Sequence, residues 1–297
     1  MKKEDESLDL IEYKSQLNDV PFRKFKEADY NLFFTIILLA KNKLNKGNIQ
    51  RDANNFYIVK IDYSDIKKLS GLGKNHIKNK EFNDKYLREM TEKLQDLKGT
   101  IKNGNVEDDI VLFPRFRRNP DEAVLTAFLT EDFYRILYDF DDIGFTQIEL
   151  KKFVSLESKY SKTLFRKLSQ FKGSGKYVVK QEDFRAIFDI PESYKQSDIM
   201  KRVINPALEE LQSEFKDLKC ELHYAMQRGK PVDRYTFTFT KPLREQKKTT
   251  EGQSDFDQAK SEMSKYREQK RKEKNSFNNF EQNSYDFEEL ERLLLDN

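Results

Sequence analysis

The chain of 297 residues has no tryptophan, one cysteine and two histidines. Each scarcity closes off some chemistry. With Cys220 alone, no intramolecular disulfide can form, which fits a reducing compartment. Cys220 itself reads as a small, half-buried strand residue. His76 and His223 lie far apart and outside any metal-ligand spacing. A nicking enzyme built on a paired-histidine metal site and a nucleophilic tyrosine is therefore unsupported, although tyrosine is abundant. Long apolar runs are missing too. Leu32–Ala40 is about half of what a membrane span needs. Met1–Asp9 is charged and lacks the apolar segment of a signal peptide, so a cytoplasmic protein is expected. Excess charge of one sign is absent: 55 Lys and Arg face 52 Asp and Glu, for a net charge of +3. Bulk charge does not announce nucleic acid, and any basic footprint must come from how the charges are distributed.

What is present suits a folded core. Hydrophobic residues make up 37% and aromatic residues 13%, all of them Phe and Tyr. Charged residues reach 36%, which points to a heavily charged surface. The length allows two ordinary domains and a tail.

Residues 1–20 read as a polar lead-in. From near Phe25 the residues Ala28, Leu32, Phe33, Ile36, Ile37 and Ala40 give a helix with a wide apolar face, ended by Asn45-Lys-Gly-Asn48. Phe56–Ile61 is rich in β-formers. Asp62 or Ser64 can then cap a short helix over Asp65–Leu69. Gly71-Leu-Gly73 breaks it. A long helix follows over about Asn79–Leu97, with Leu87, Met90, Leu94 and Leu97 on one stripe. Asn103-Gly104-Asn105 signals a hairpin turn. Ile110–Phe116 and Val124–Leu129 read as strands.

The second half repeats this order. The spacing predicts a helix over Ser158–Phe171, a strand over Tyr177–Lys180 and a short helix over Glu182–Phe188. Asp189-Ile-Pro191 turns the chain into a longer helix over Ser197–Leu218. Leu222–Met226 and Tyr235–Thr240 are strands around the loop Arg228-Gly-Lys-Pro231. Along the last strand Tyr235, Phe237 and Phe239 alternate with threonines, as a half-buried strand requires. Wording recurs between the halves as well. Tyr57-Ile-Val-Lys60 parallels Tyr177-Val-Val-Lys180, and Asp96-Leu-Lys98 parallels Asp217-Leu-Lys219. We read a duplicated helix–strand–helix–helix–strand–turn–strand unit, which is winged-helix topology. The fold class is α+β: two tandem winged-helix domains, residues 21–130 and 131–244. The second includes a joining helix, and Thr130–Lys152 is the segment where a switch between forms is expected. From residue 245 the chain turns polar and is expected to be a disordered tail. Phe287, Leu290, Leu293 and Leu294 regain helical spacing near its end. That stripe can dock on a partner or pack on its own chain.

Two segments imitate phosphate loops. Gly173-Ser-Gly-Lys176 has Gln170 where the first glycine belongs and Tyr177 where Ser or Thr belongs, and it runs from helix to strand. Phosphate cradling needs strand then helix, so that the helix N-terminal N–H groups face the phosphates. Gly73-Lys74 fails likewise, with Lys68 and Asn75 at those positions. The acidic pairs Asp108-Asp109 and Asp141-Asp142 read as solvated surface. No catalytic residues, metal or cofactor are expected, and the chain does not read as an enzyme.

The positive case is the helix after Pro191. Met200, Ile204, Leu208, Leu211 and Phe215 form its expected core stripe. Asp198, Lys201, Arg202 and Asn205 lie on another face near its N-terminus. In helix-turn-helix proteins this part of the second helix enters the major groove, where Arg and Lys read guanine and Asn reads adenine. A merely solvated charged face is the plainer reading. Tyr194, Lys195, Gln196 and Ser197 precede it and suit phosphate or base-edge contacts. Pro206 either bends this helix or stands at the first position of a second one capped by Asn205. Arg228, Lys230 and Arg234 give a hairpin the composition of a wing on the phosphate backbone. An ordinary charged hairpin has the same composition. In the first half Lys74, Asn75, His76, Lys78, Asn79 and Lys80, with Arg115, Arg117 and Arg118, fall at the same topological places. His76 is equally an ordinary surface histidine.

At these residues the sequence resembles the Rep_3-type iteron-binding plasmid replication initiators. Ser158–Leu168, Glu182–Phe188, Val203-Ile-Asn-Pro-Ala-Leu-Glu-Glu210, Gly229-Lys230 and Tyr235–Phe239 carry the likeness. It spans roughly residues 20–241, and the second half matches more closely than the first. The resemblance implies a bacterial DNA-binding protein that binds repeated double-stranded sequences, iterons, at a plasmid origin. Each winged helix would contact the same repeat. It further implies origin opening, recruitment of the host replicative helicase and in some cases the host initiator, plasmid copy-number control, and autorepression by a homodimer in equilibrium with monomer. By the same resemblance the recognition role falls on Lys195, Lys201 and Arg202, and the wing role on Arg228 and Lys230. A winged-helix transcriptional regulator of a plasmid or phage is the alternative, and a protein-binding scaffold a third possibility.

Overall fold

The computed structural model describes residues 9–45, 50–72, 82–103, 106–138, 144–226 and 231–241. The chain opens with a strand, β1 (Leu10–Lys14), and a 3₁₀ turn (Ser15–Asn18). Helix α1 (Glu27–Asn45) follows. It is buried nearly all round, as its run from Leu32 to Ala40, apolar but for Thr35, demands. Next come β2 (Gln50–Arg51), β3 (Tyr57–Asp62) and α2 (Tyr63–Leu69). Asp62 stands at the cap position of α2 but makes no side-chain cap bond; its carboxylate faces Lys43 at 3.8 Å instead. A π-type turn (Phe82–Leu87) runs into α3 (Arg88–Gln95). There Leu87, Met90 and Leu94 are fully buried, as their spacing requires.

After α3 the first half departs from a plain duplication. Strands β4 (Lys98–Asn103) and β5 (Val106–Val111) form a hairpin of their own. The single strand expected over Ile110–Phe116 is divided: β5 ends at Val111 and β6 (Arg115–Asn119) begins after Pro114, which has no N–H to give a ladder. Strand β7 (Val124–Leu129) then pairs with both β6 and β3, in a sheet ordered β2-β3-β7-β6. The second half has α6 (Lys159–Gln170), β9 (Lys176–Lys180), α7 (Gln181–Ile187), a helical run described below, β10 (Lys219–Tyr224) and β11 (Val232–Thr238). Its sheet is ordered β10-β11-β9. Matching the sheets makes β6 and β7 the equivalents of β10 and β11, and β4–β5 an insertion. The first-half turn equivalent to the wing is therefore Pro120–Ala123, short and carrying Asp121 and Glu122.

The polar lead-in expected over residues 1–20 is, from Leu10, part of the fold. Strand β1 pairs antiparallel with β8 (Phe145–Glu149), Ile11 opposite Ile148 and Tyr13 opposite Thr146. Ile11, Tyr13 and Leu17 are fully buried. The joining segment contains α4 (Glu131–Tyr138), β8 and α5 (Leu150–Ser155) rather than one helix. Tyr134 of α4 stacks on Tyr57 of β3, ring centres 4.1 Å apart and planes 7° from parallel.

One core runs through both halves. Phe34 of α1 meets Phe153 of α5 at 4.7 Å, and Phe165 of α6 meets Phe215 at 5.7 Å. Helix α6, capped by the Ser158 hydroxyl, sends three buried cations across the joint. Lys162 donates to the Phe153 carbonyl at 2.6 Å, satisfying the end of α5. Arg166 donates to the Leu17 carbonyl at 2.6 Å and to Asn18 Oδ1 at 3.3 Å, with its guanidinium 4.3 Å from the Phe22 ring centre. Lys167 pairs with Asp19. Burial pushes the Lys162 ammonium down to about 8.

Candidate nucleic-acid interface

Three short elements make one continuous helical run in the second half: α8 (Gln196–Ile199), a π-type turn (Met200–Ile204) and α9 (Asn205–Leu211). Asn205 keeps helical angles and so does not start a separate helix. The wide turn lies directly before Pro206, whose ring would otherwise meet the carbonyl one turn back. It also shifts the buried stripe. Ile199, Val203, Ile204, Ala207 and Leu211 face the core, whereas Met200 and Leu208, expected there, are only half-buried.

The opposite face is solvent. Ser197, Lys201 and Asn205 are exposed, and among the described residues none of their side chains makes a hydrogen bond or ion pair. Arg202 is exposed but oriented: its guanidinium lies 5.4 Å from the Tyr194 ring centre and 3.6 Å from Asp198 Oδ1. Lys195 is exposed at the start of the run, and its backbone N–H donates to Asp198 Oδ2 at 3.1 Å. The turn before the run is braced from behind by Arg185 of α7, which donates to the Tyr194 carbonyl at 2.6 Å and the Pro191 carbonyl at 3.4 Å. The structure thus brings Tyr194, Lys195, Ser197, Lys201, Arg202 and Asn205 onto one turn and one face.

Gln196 does not join them. Its amide oxygen accepts the Tyr235 hydroxyl at 2.8 Å and Gln181 Nε2 at 3.4 Å, so it ties the run to the sheet. Burial pushes the Tyr235 hydroxyl up in pKa. Arg234 is exposed within β11, between Lys180 and His223 of the neighbouring strands, and pairs with Asp233 at 3.3 Å. It therefore sits on the sheet rather than on the wing loop. Arg228 and Lys230 lie outside the described residues.

In the first half, Lys74, Asn75, His76, Lys78, Asn79 and Lys80 also lie outside the described residues. The three arginines of β6 divide. Arg115 pairs with Asp52 at 2.9 Å and covers the Phe128 ring, 3.8 Å from its centre. Arg117 is exposed on the same face, 6.0 Å from that ring. Arg118 turns to the other face and donates to the Thr91 hydroxyl of α3. Phe128 is an aromatic on the outer face of its sheet, and Arg115 keeps it from water.

The phosphate-loop imitation has another explanation. Gly175 (φ 69) turns α6 into β9, and a Cβ there would stand 2.8 Å from the Phe239 carbonyl. The glycine serves a close approach of backbone. Cys220 is half-buried in β10 as its strand position suggests, and burial pushes its thiol up to about 12. His223, also in β10, bonds to the Thr236 hydroxyl at 2.9 Å.

Sequence reasoning missed Arg185, Gln181 and Tyr235 as supports of the run, because each acts across a turn or from another element, at no fixed spacing in sequence. The one local signal was the polar start of α7 at Gln181, directly after the strand.

This arrangement of helices and sheets recurs in known proteins. The family model described as "Initiator Replication protein, WH1" matches residues 10–169, and "Initiator Rep protein, WH2" matches residues 180–239. A protein of Bifidobacterium longum (strain NCC 2705), described as a probable replication protein Rep, is 25% identical over 237 residues, 79% of this chain and 74% of its own. Among solved structures, the Pi initiator protein in a crystal complex with iteron DNA aligns with a TM-score of 0.56 at 14% identity. The alignment covers 79% of this chain and 98% of that one. The fold is two tandem winged helices, and the family models cover most of the described residues. By the extent of those matches, this chain belongs to the initiator replication protein family.

Proposed function

We propose that this protein is a plasmid replication initiator that binds repeated double-stranded sequences at its origin. The observation that carries this is the exposed face of the helical run Gln196–Leu211. Among the described residues the side chains of Ser197, Lys201 and Asn205 are unengaged there, and Arg202 is held by Tyr194 and Asp198 while the reverse face fills the core. A planar guanidinium held in place suits bidentate pairing with guanine O6 and N7. The wing residues Arg228 and Lys230 would follow the phosphate backbone, a sequence-independent and salt-sensitive contribution. The first winged helix would contact the same repeat through Lys74–Lys80. Its own wing turn, with Asp121 and Glu122, is the wrong sign for phosphate.

The reading includes opening of the origin, recruitment of host replication proteins including the replicative helicase, and autorepression by a homodimer. No catalytic step, metal or cofactor enters it. A footprint of the purified protein on DNA flanking its own gene, at physiological salt, tests it. Regularly spaced protected repeats are expected. A single protected palindrome at the promoter would favour a transcriptional regulator, and no protection at any salt would leave the winged helices as protein-binding modules.

A further inference from the structure

Two non-glycine residues with left-handed backbone meet across the joint between the two matched segments. Lys24 has φ 62 and Asp189 has φ 47, a region that only Gly, Asn and Asp visit readily. The strain is at Lys24, and such strain persists where the surroundings over-determine it. Here the Asp189 carboxylate accepts the Lys24 backbone N–H at 3.2 Å and the Lys159 ammonium at 3.2 Å. Lys159 also reaches the Asp189 carbonyl at 3.4 Å. Lys24 lies in the loop entering α1, and Lys159 opens α6. Asp189 follows α7, in the turn whose far side is braced by Arg185 at Tyr194. The entry to the helical run is therefore gripped on one side by Arg185 and on the other by the loop into α1, through Lys24, and by the start of α6, through Lys159.

We propose that Asp189 is a positioning residue that sets the pitch of the second DNA-reading face relative to the first, so that the two read sequence blocks at one fixed spacing. This rests on the reading that both winged helices contact the same repeat. Inserting one base pair between two blocks moves the second by about 3.4 Å and turns it by about 34°. A turn held by Asp189 does not follow that movement; a released turn does.

The test uses the full-length protein to select duplexes from a random-sequence pool. Single base pairs are then inserted at each position of the selected site, and binding of wild type, Asp189→Gly and Asp189→Asn is measured. Glycine adopts the backbone angle without strain and removes both carboxylate bonds, leaving Lys159 only the backbone carbonyl at 3.4 Å. Asparagine tolerates the angle and keeps an acceptor for Lys24 while losing the charge that holds Lys159, so the test stays readable should glycine loosen the fold as a whole. Wild type is expected to lose at least about tenfold on insertion between the blocks. Asp189→Gly is expected to bind the unaltered site within about threefold of wild type and to lose no more than about threefold on insertion. Asp189→Asn should fall between. An insertion penalty equal in Asp189→Gly and wild type overturns the proposal, as does a wild type indifferent to insertion at every position. A wild type that enriches no sequence removes the underlying DNA-recognition reading, and the proposal with it.

Discussion

Replacing Arg166 by methionine and by alanine separates what its charge does from what its volume does. The residue is 1% exposed, and among the described residues no carboxylate pairs with it. Its gains are two charge-assisted hydrogen bonds, about 1.5–3 kcal/mol each, and a desolvated cation–π contact on Phe22 of about 2 kcal/mol. Against these stands the cost of taking a guanidinium out of water, several kcal/mol. The two sides roughly cancel. Arg166→Met keeps most of the volume and removes both. What remains is chiefly the Leu17 carbonyl without its donor, costing about 1–3 kcal/mol. Asn18 Oδ1 is not orphaned, since it still accepts the Tyr13 hydroxyl at 2.9 Å. Arg166→Ala adds a cavity against Phe22 and Phe34, with a large-to-small cost of about 3 kcal/mol more. Urea unfolding of the full chain, compared at equal m-value, measures both. Methionine should be less destabilising than alanine by at least about 2 kcal/mol. Methionine as damaging as alanine would refute the reasoning, because the charge itself would then be what holds the joint.

Burial holds the Lys41 and Lys162 ammonium groups at about 8, against 10.5 in an unfolded chain. Between those values the unfolded chain binds more protons, so stability should rise from about pH 8 toward pH 10, by up to about 3 kcal/mol per lysine. Above pH 10 Tyr13 and Tyr57, held up to about 12, reverse the sign, since unfolding then releases their protons. Denaturation midpoints across pH 7–11 check both arms. Gln196→Leu should cost about 1–2 kcal/mol of stability, by stranding the Tyr235 hydroxyl, and leave base preference unchanged in a binding-site selection. Lys230→Ala should weaken binding to all sequences alike and lower the slope of log affinity against log salt by about one, read from a salt titration.

Much of the fold could be read locally. The alternation of Tyr235 and Phe237 with threonines, the helix start near Ser158 and the paired Tyr-Ile-Val-Lys and Tyr-Val-Val-Lys strands are patterns a few residues long, and each sits in the element expected, although the last strand ends at Thr238, short of Phe239. What was illegible depends on partners far away. Leu10-Ile-Glu-Tyr-Lys14 is too short to stand out as a strand. It becomes one by pairing with β8, more than a hundred residues on, and by burying Ile11 and Tyr13. The cations Lys162, Arg166 and Lys167 look like a solvated face of α6. Nothing beside them in sequence reveals the carbonyls of Phe153 and Leu17 and the Asp19 carboxylate that receive them. The candidate site divides the same way. The exposed face of Lys201, Arg202 and Asn205 follows from helical spacing. Gln196 points inward because Tyr235, on another strand, offers it a hydroxyl. The inserted hairpin β4–β5 shows only in sheet order, since by itself it passes for the winged-helix hairpin.

On the proposed function, the exposed face of the run Gln196–Leu211 reads base sequence. The most direct measurement compares wild type and Arg202→Ala on a selected duplex and on every single-base substitution of it. Loss of about 1–3 kcal/mol, with relaxed preference at one base pair and preferences elsewhere intact, is the predicted result. Equal affinity and unchanged preference at every position would contradict the account.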